Sequence, residues 1–368
     1  MRKKVVVLGA TGSIGKSSLE IMSTLPDLFE IVGMTANKNA NALSALSKQY
    51  GCTKLCLCGE NGTDGIKHLI EDTQPDIVIN GIAGSAGLLP SVFVLENGVD
   101  LALANKETVV MAYPLVQALA KKNGCNILPV DSEHSAVFSL INRYGKENVS
   151  RIILTASGGP FRTYTKEQLK SVTFADAQKH PTWNMGPKIT ADSSTLANKG
   201  LEVIEACRLF DAKPEQVKVT VHPQSLVHSL IQTKDGALYA QISKPDMKHP
   251  ILTALTWPDF TPNSLELLNL HEFDSPLEMT FAKPDQDRFP MLKLAYQAAG
   301  NNGGYTIAYN AANEVAVSAF AKGTIGFYGI SDLTEAVLEH DWTKEPTSFD
   351  DVFNMDKEAR ILAKERLA

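Results

Sequence analysis

Several short stretches of this 368-residue chain carry residue types at spacings that could do chemistry. Asp131-Ser132-Glu133 puts two carboxylates at i and i+2 around a hydroxyl, directly after the apolar Leu128-Pro129-Val130. Carboxylates so placed can converge on one hard cation, which takes oxygen ligands. They can equally be the acidic first turn of the helix that carries Val137, Phe138 and Ile141, where negative charge suits the helix dipole. Further on, His180-Pro181 and Trp183 open a segment too rich in Gly and Pro to be regular, read as a loop that can move. It runs into Asp192-Ser193-Ser194, read as the N-cap of a helix through Phe210, and helix N-termini hold anions. In that helix Leu196, Gly200, Val203, Cys207 and Phe210 make the apolar face, while Asn198, Lys199 and Glu202 share another. A mobile aromatic, a hydroxyl-rich helix start, a cation and a carboxylate suit a phosphorylated substrate and a metal; a capped surface helix would carry the same residues.

The elements that must position these groups begin with an alternation. Apolar runs near 4–8, 29–35, 54–57, 77–80, 100–103 and 126–130 are separated by helical patterns, the rhythm of a doubly wound parallel sheet. Its first turn reads Gly9-Ala10-Thr11-Gly12-Ser13-Ile14-Gly15, after a strand and opening a helix, which is the context of a pyrophosphate-binding turn. The glycines are spaced GxxGxxG, not GxGxxG. After the second strand an NAD protein would place an acidic residue, but this chain has Asn37-Lys38-Asn39, whose cation and amides suit a 2′-phosphate and favour NADP. Gly81 to Gly87 is almost all small residues, which lets backbone approach a flat ligand. Asn105 and Lys106 follow the fifth strand at the sheet's ligand-binding edge, where Lys106 can polarise a substrate oxygen or simply start a helix.

From 151 the pattern changes. Ile152 to Thr155 reads as a strand leaving into Ala156-Ser157-Gly158-Gly159-Pro160, a turn suited to an anion or to a plain exit. Leu226 to Gln232 and Leu238 to Ser243 flank Lys234-Asp235-Gly236 as a hairpin, giving an α+β second domain. His222 and His228 match no zinc spacing and read as sheet-packing residues. Residues 258–286 read as a linker; 288–299, 304–321, 330–340 and 349–366 read as a small helical bundle. The expected division is a Rossmann-like domain over 1–128, a central domain over 129–257, the linker, and a helical domain over 287–368.

Composition narrows the partners. A net charge of −6 argues against nucleic acid, whose phosphates reward a basic face. There is no apolar run of the roughly eighteen residues that a membrane span needs. The first four residues pass directly into Val5-Val6-Val7-Leu8, leaving no room for a targeting segment, so the expected address is the cytoplasm. Five cysteines, an odd number, argue against a disulfide framework; Cys52, Cys56 and Cys58 cluster, but Cys56-Leu57-Cys58 reads as a short apolar strand and the three as structurally buried rather than as metal ligands.

Together, Gly9–Gly15, Leu128–His134 and His180–Glu202 resemble the 1-deoxy-D-xylulose 5-phosphate reductoisomerases. Ala104–Glu107, Ala156–Arg162, His222–Ser225 and Ala312–Val317 extend the likeness over nearly the whole chain. The resemblance implies a divalent cation, Mg²⁺ or Mn²⁺, held by Asp131, Glu133 and Glu202, all oxygen donors that suit such an ion better than zinc. It implies phosphate binding by Ser157, Ser193, Asn198 and Lys199. Lys106, Ser132 and His180 would meet the substrate's hydroxyl and carbonyl end, and Trp183 and Met185 would belong to a lid. Gly9, Thr11, Gly12, Ser13, Ile14, Asn37, Lys38, Asn39, Asn105, Glu107 and Gly186 would contact NADPH. It also implies a homodimer through the central sheet and a small phosphorylated sugar as substrate. Two other readings stay open on the residues alone: another two-domain NADP-dependent dehydrogenase, or a non-catalytic NADP-binding redox sensor.

Overall fold

The computed structural model of the chain describes residues 1–179, 183 and 186–367. They form two compact units, one of Met1–Thr108, Pro114–Ser135 and Asp246–Glu266, the other of Val109–Tyr113, Ala136–Pro245 and Leu267–Ala368.

The first unit is built on six parallel strands: β1 (Lys3–Leu8), β2 (Phe29–Ala36), β3 (Leu55–Leu57), β4 (Ile77–Asn80), β5 (Asp100–Leu103) and β6 (Ile127–Pro129). Their order is β3-β2-β1-β4-β5-β6, so the strand order reverses between β1 and β4, beside the glycine turn, where such sheets bind ligands. Val5 to Leu8 and Ile77 to Asn80 are wholly buried because helices cover both faces of the sheet. The six strands fall where the apolar runs place them.

The chain returns to this unit late. Helix Lys248–Thr256 packs against helix Ser13–Ser23; Lys3 Nζ donates to Leu255 O at 2.7 Å, and Lys248 pairs with Glu20 at 2.8 Å. The expected boundaries at 128 and 257 do not coincide with this division. A short amphipathic helix leaves no periodic sign of which sheet it will cover.

The second unit has a four-stranded mixed sheet of β7 (Val149–Ala156), β8 (Val217–Val221), β9 (Val227–Thr233) and β10 (Leu238–Ile242) in the order β10-β9-β7-β8. β9 and β10 are the expected hairpin, with Gly236 at φ +90°, a left-handed position that Gly adopts without strain. Four successive helices, Pro290–Gly300, Tyr305–Ala321, Phe327–Leu338 and Phe349–Glu365, fall where the bundle was expected. His222 packs inside this unit, as expected. His222 is fully buried, accepts from the Leu226 and Val227 amides at 3.2 Å through Nε2, stacks on Phe281, and reaches Thr280 O at 3.0 Å through Nδ1.

One expectation is corrected. The helix starting at Asp192 is two helices, Pro187–Thr195 and Ala197–Leu209, broken at Leu196, whose φ is +60°. The first begins at Gly186 with Pro187 in its first turn, where a missing N–H and a fixed φ fit. Asp192 and Ser193 therefore lie in that helix's last turn, not at an N-terminus. A left-handed Leu costs roughly 1–2 kcal/mol; burial of its side chain, 4% exposed, offsets this.

All five cysteines are free thiols. Burial, together with Cys58, pushes the Cys56 thiol up to about 12, and burial does the same to Cys207. Neither has the depressed pKa of a metal-binding or reactive thiolate.

The tightest backbone approach is at the first turn. A Cβ on Gly15 would stand 2.4 Å from Gly9 O and 2.5 Å from Ala10 Cα. Gly15→Ala is expected to destabilise the chain by about 1–3 kcal/mol, the usual cost of overpacking, and to weaken NADPH binding. Urea denaturation and fluorescence titration check both effects; unchanged values would show that the turn can open without loss.

Candidate active site

In the first unit every implied ligand-binding residue sits at the carboxyl end of a strand. The turn after β1 is fixed from beside it: Gly9 N donates to Thr35 Oγ1 at 3.0 Å, and Ala10 N to Thr35 O at 2.8 Å. Gly9 adopts φ +77°, and Gly12 caps helix Ser13–Ser23 without a side chain; helix N-termini of this kind favour anions. Thr11 and Ile14 are half-buried, while Gly12 and Ser13 are exposed. This is a glycine turn from a strand into a helix N-terminus, the context in which pyrophosphates are bound. After β2, Asn37, Lys38 and Asn39 are exposed; Asn39 also caps helix Ala40–Tyr50, accepting from Ala42 N at 3.0 Å. Gly59 N donates to Asn37 O at 2.7 Å, which ties down the loop carrying Lys38.

Asn105 is buried and occupied by its own chain. Its Nδ2 donates to Ile82 O (2.7 Å), Gly84 O (2.8 Å) and Glu107 Oε2 (2.9 Å), and its Oδ1 accepts from Thr108 N (3.0 Å). Asn80, fully buried, donates to Gly87 O at 2.9 Å and accepts from Ile82 N at 3.1 Å. These two amides shape the small-residue loop 81–87, and Gly87 leaves room for Asn105, whose Cγ a Cβ would meet at 2.4 Å. Sequence reasoning missed Asn80 and gave Asn105 only a ligand contact. Asn at two neighbouring strand ends was the available signal.

Lys106 is nearly buried and its Nζ lies 2.5 Å from Asp131 Oδ2. Asp131 precedes helix Ser132–Tyr144, and its carbonyl accepts the Ser135 amide at 2.8 Å. Ser132 Oγ donates to Glu133 Oε2 at 2.5 Å, so the hydroxyl between the carboxylates orients one of them. Buried His134 stands 3.9 Å from Asp131 through Nδ1. The carboxylates thus open a helix, as the second reading of this segment expects, and they are half-buried.

In the second unit, the turn after β7 carries Ser157, whose Oγ accepts the Gly159 amide at 3.2 Å. Gly159 (φ +69°) lies so close to helix Pro187–Thr195 that a Cβ would meet Ser193 O at 2.5 Å. The Ser157 turn and Ser193 are thus neighbours. Past the break at Leu196, Asn198 Nδ2 donates to Glu202 Oε1 at 2.6 Å and Lys199 Nζ donates to Glu202 Oε2. Those three residues share a face, as their spacing requires. Glu202 is 1% exposed, and Glu205, which sequence reasoning passed over, is 2% exposed. Trp183 is half-buried, its ring 6.4 Å from that of His228, and Gly186 is exposed at the start of its helix. His180 and Met185 lie outside the described residues.

This combination defines an α/β dinucleotide-binding protein that carries half-buried and buried carboxylates with hydroxyl and amine groups among them. Profiles of 1-deoxy-D-xylulose 5-phosphate reductoisomerase match residues 5–62 and 56–113, and those of its C-terminal domains match 127–210 and 242–362. Reductoisomerases of that name from Treponema denticola and Treponema pallidum are 50% and 45% identical to this chain over all of it, covering 97% and 98% of their own lengths. A solved DOX-P reductoisomerase in complex with NADPH, fosmidomycin and magnesium superposes with a TM-score of 0.90 at 35% identity, covering 99% of this chain and 98% of that one. The Zymomonas mobilis enzyme in complex with NADPH gives 0.88 at 36%, covering 100% and 99%. The chain belongs to the 1-deoxy-D-xylulose 5-phosphate reductoisomerase family.

Breaking a buried ion pair by removing one partner typically costs about 3–5 kcal/mol. Lys199→Met should therefore destabilise the chain on that scale, and Lys199→Met/Glu202→Gln should recover most of the loss. Urea denaturation followed by circular dichroism reads both; a single variant as stable as the parent would mean Glu202 does not depend on Lys199.

Proposed function

We propose that this chain rearranges 1-deoxy-D-xylulose 5-phosphate to an aldehyde and reduces it to 2-C-methyl-D-erythritol 4-phosphate, using NADPH and one divalent cation. The observation that carries the reading is likeness over the full chain at up to 50% identity. Both cofactors fit the residues present: a glycine turn at a helix N-terminus with a lysine-bearing loop after the next strand, and carboxylates as donors with no thiolate among them.

When bound, the cation supplies Lewis-acid polarisation of the substrate's oxygens, and NADPH supplies the hydride. Asp131, Glu133 and Glu202 would hold the cation, Mg²⁺ or Mn²⁺, with Ser132 orienting Glu133. Ser157, Ser193, Asn198 and Lys199 bind the phosphate, far from the reacting carbons, so their binding energy is free to orient the rest of the molecule. Lys106, with Ser132 and His180, meets the hydroxyl and carbonyl end. Its ammonium, already beside Asp131, can follow charge from the carboxylate to a developing oxyanion. Trp183 and Met185 exclude water over the reacting end. Thr11 to Ile14 with Gly9 take the pyrophosphate, and Lys38 with Asn37 and Asn39 the 2′-phosphate. Gly186, Glu107 and the loop held by Asn105 line the nicotinamide side.

Free cysteines suit the reducing cytoplasm. No described helix is long and apolar enough to cross a membrane. Leu238 and Ile242, exposed on edge strand β10, support a homodimer built by that sheet.

Glu202→Gln is expected to bind NADPH normally in a fluorescence titration yet to lose at least about a hundredfold in turnover, because it removes a ligand charge and leaves the cofactor cradle intact. Near-normal turnover at saturating Mg²⁺ would overturn the metal role.

A further inference from the structure

Asp192, the residue before Ser193, is 1% exposed, and its carboxylate is held from two directions. Asn313 Nδ2 donates to Oδ1 at 2.8 Å, and Lys188 Nζ, one turn earlier in the same helix, lies 2.9 Å from Oδ2. Asn313 is itself fully buried in helix Tyr305–Ala321. One turn before it, Tyr309 is also fully buried; its hydroxyl donates to Met291 O at 3.1 Å and sits where a Cβ on Gly200 would approach within 2.6 Å.

Residues four apart share a helix face. The same face of helix Tyr305–Ala321 therefore touches both helices that flank Leu196. Through Asn313 it holds the helix bearing Ser193, and through Tyr309 it meets the helix bearing Asn198, Lys199 and Glu202. The junction between those two helices is a single left-handed residue, which sets no angle as rigidly as a continuous helix would. Moving helix Pro187–Thr195 would shift Ser193 against Ser157 and against Lys199 together.

An apolar contact could fill this space without stranding polar atoms, yet Asn313 Oδ1 is buried with no hydrogen-bond partner. Only an amide turned with its donor toward the carboxylate gives this arrangement, and it leaves the acceptor unmatched. Such a pair enforces one register where apolar packing would tolerate several.

We propose that Asn313 is a positioning residue for the phosphate end of the substrate, holding Asp192 so that Ser193 stays in register with Ser157, Asn198 and Lys199. This rests on the assignment of Ser193 to the phosphate. The test is steady-state kinetics of the full chain with NADPH, Mg²⁺ and varied 1-deoxy-D-xylulose 5-phosphate. The variants are Asn313→Leu, Ser193→Ala, Asp192→Asn, and the exchange Asp192→Asn/Asn313→Asp, which reverses donor and acceptor. Asn313→Leu is expected to raise KM for the sugar phosphate about tenfold, or about 1.4 kcal/mol, with KM for NADPH changed less than about twofold. The exchange should recover most of the loss seen in Asp192→Asn. A role limited to stability would lower the melting temperature, leave the ratio of the two KM values unchanged, and show no recovery in the exchange. If Ser193→Ala raises the sugar-phosphate KM and Asn313→Leu does not, the positioning role is wrong while the phosphate assignment stands. If Ser193→Ala leaves that KM unchanged, both fail. Should Asn313→Leu not fold, Asn313→Ser carries the same comparison.

Discussion

A carboxylate taken out of water is expensive unless something replaces its hydration, and this chain is organised around several. Asp131 has Lys106; Glu202 has Lys199 and Asn198; Asp192 has Lys188 and Asn313. The lysines come from a neighbouring strand end or the next helix turn, and Asn313 from a helix far along the chain but within the same unit, so each unit stabilises its own acidic groups. A hard cation binds best to donors that are already partly dehydrated and fixed. The lysines provide that state while keeping each charge neutralised, and two of them, Lys106 and Lys199, are the residues expected to meet substrate.

The rest of the architecture holds these groups still. Thr35 ties the glycine turn to β2; Asn80 and Asn105 bind the loop 81–87 to the strand ends. Gly159 admits the Ser157 turn against Ser193. Polar residues do this work because the loops cannot form sheet or helix bonds of their own, and buried backbone groups must find partners. The Asn313–Asp192 pair extends the same device from helix Tyr305–Ala321 to the helix that carries Ser193.

Much of this was legible in the residues. Six strands, the glycine turn, the hairpin at Gly236 and the packing role of His222 follow from periodicity, turn chemistry and the lack of metal spacing. The shared face of Asn198, Lys199 and Glu202 follows from helix geometry alone. The break at Leu196 was not legible, because a left-handed leucine carries no compositional signal and its strain is met by tertiary burial. That the Asn105 side chain also holds the loop was not legible, since a strand-end amide looks the same in either role. The return of helix Lys248–Thr256 to the first sheet, and the reach of Asn313 to Asp192 across 121 positions, are long-range facts that local pattern does not encode.

The central claim is metal-dependent, NADPH-linked turnover of one sugar phosphate. It is tested most directly by following NADPH absorbance with 1-deoxy-D-xylulose 5-phosphate and Mg²⁺ or Mn²⁺, repeated with NADH and with a chelator. The account predicts oxidation that requires both substrate and cation, stops on chelation and is much slower with NADH. Oxidation that persists in chelator would contradict the role given to the carboxylates. Intact NADPH binding without turnover would contradict the assigned reaction.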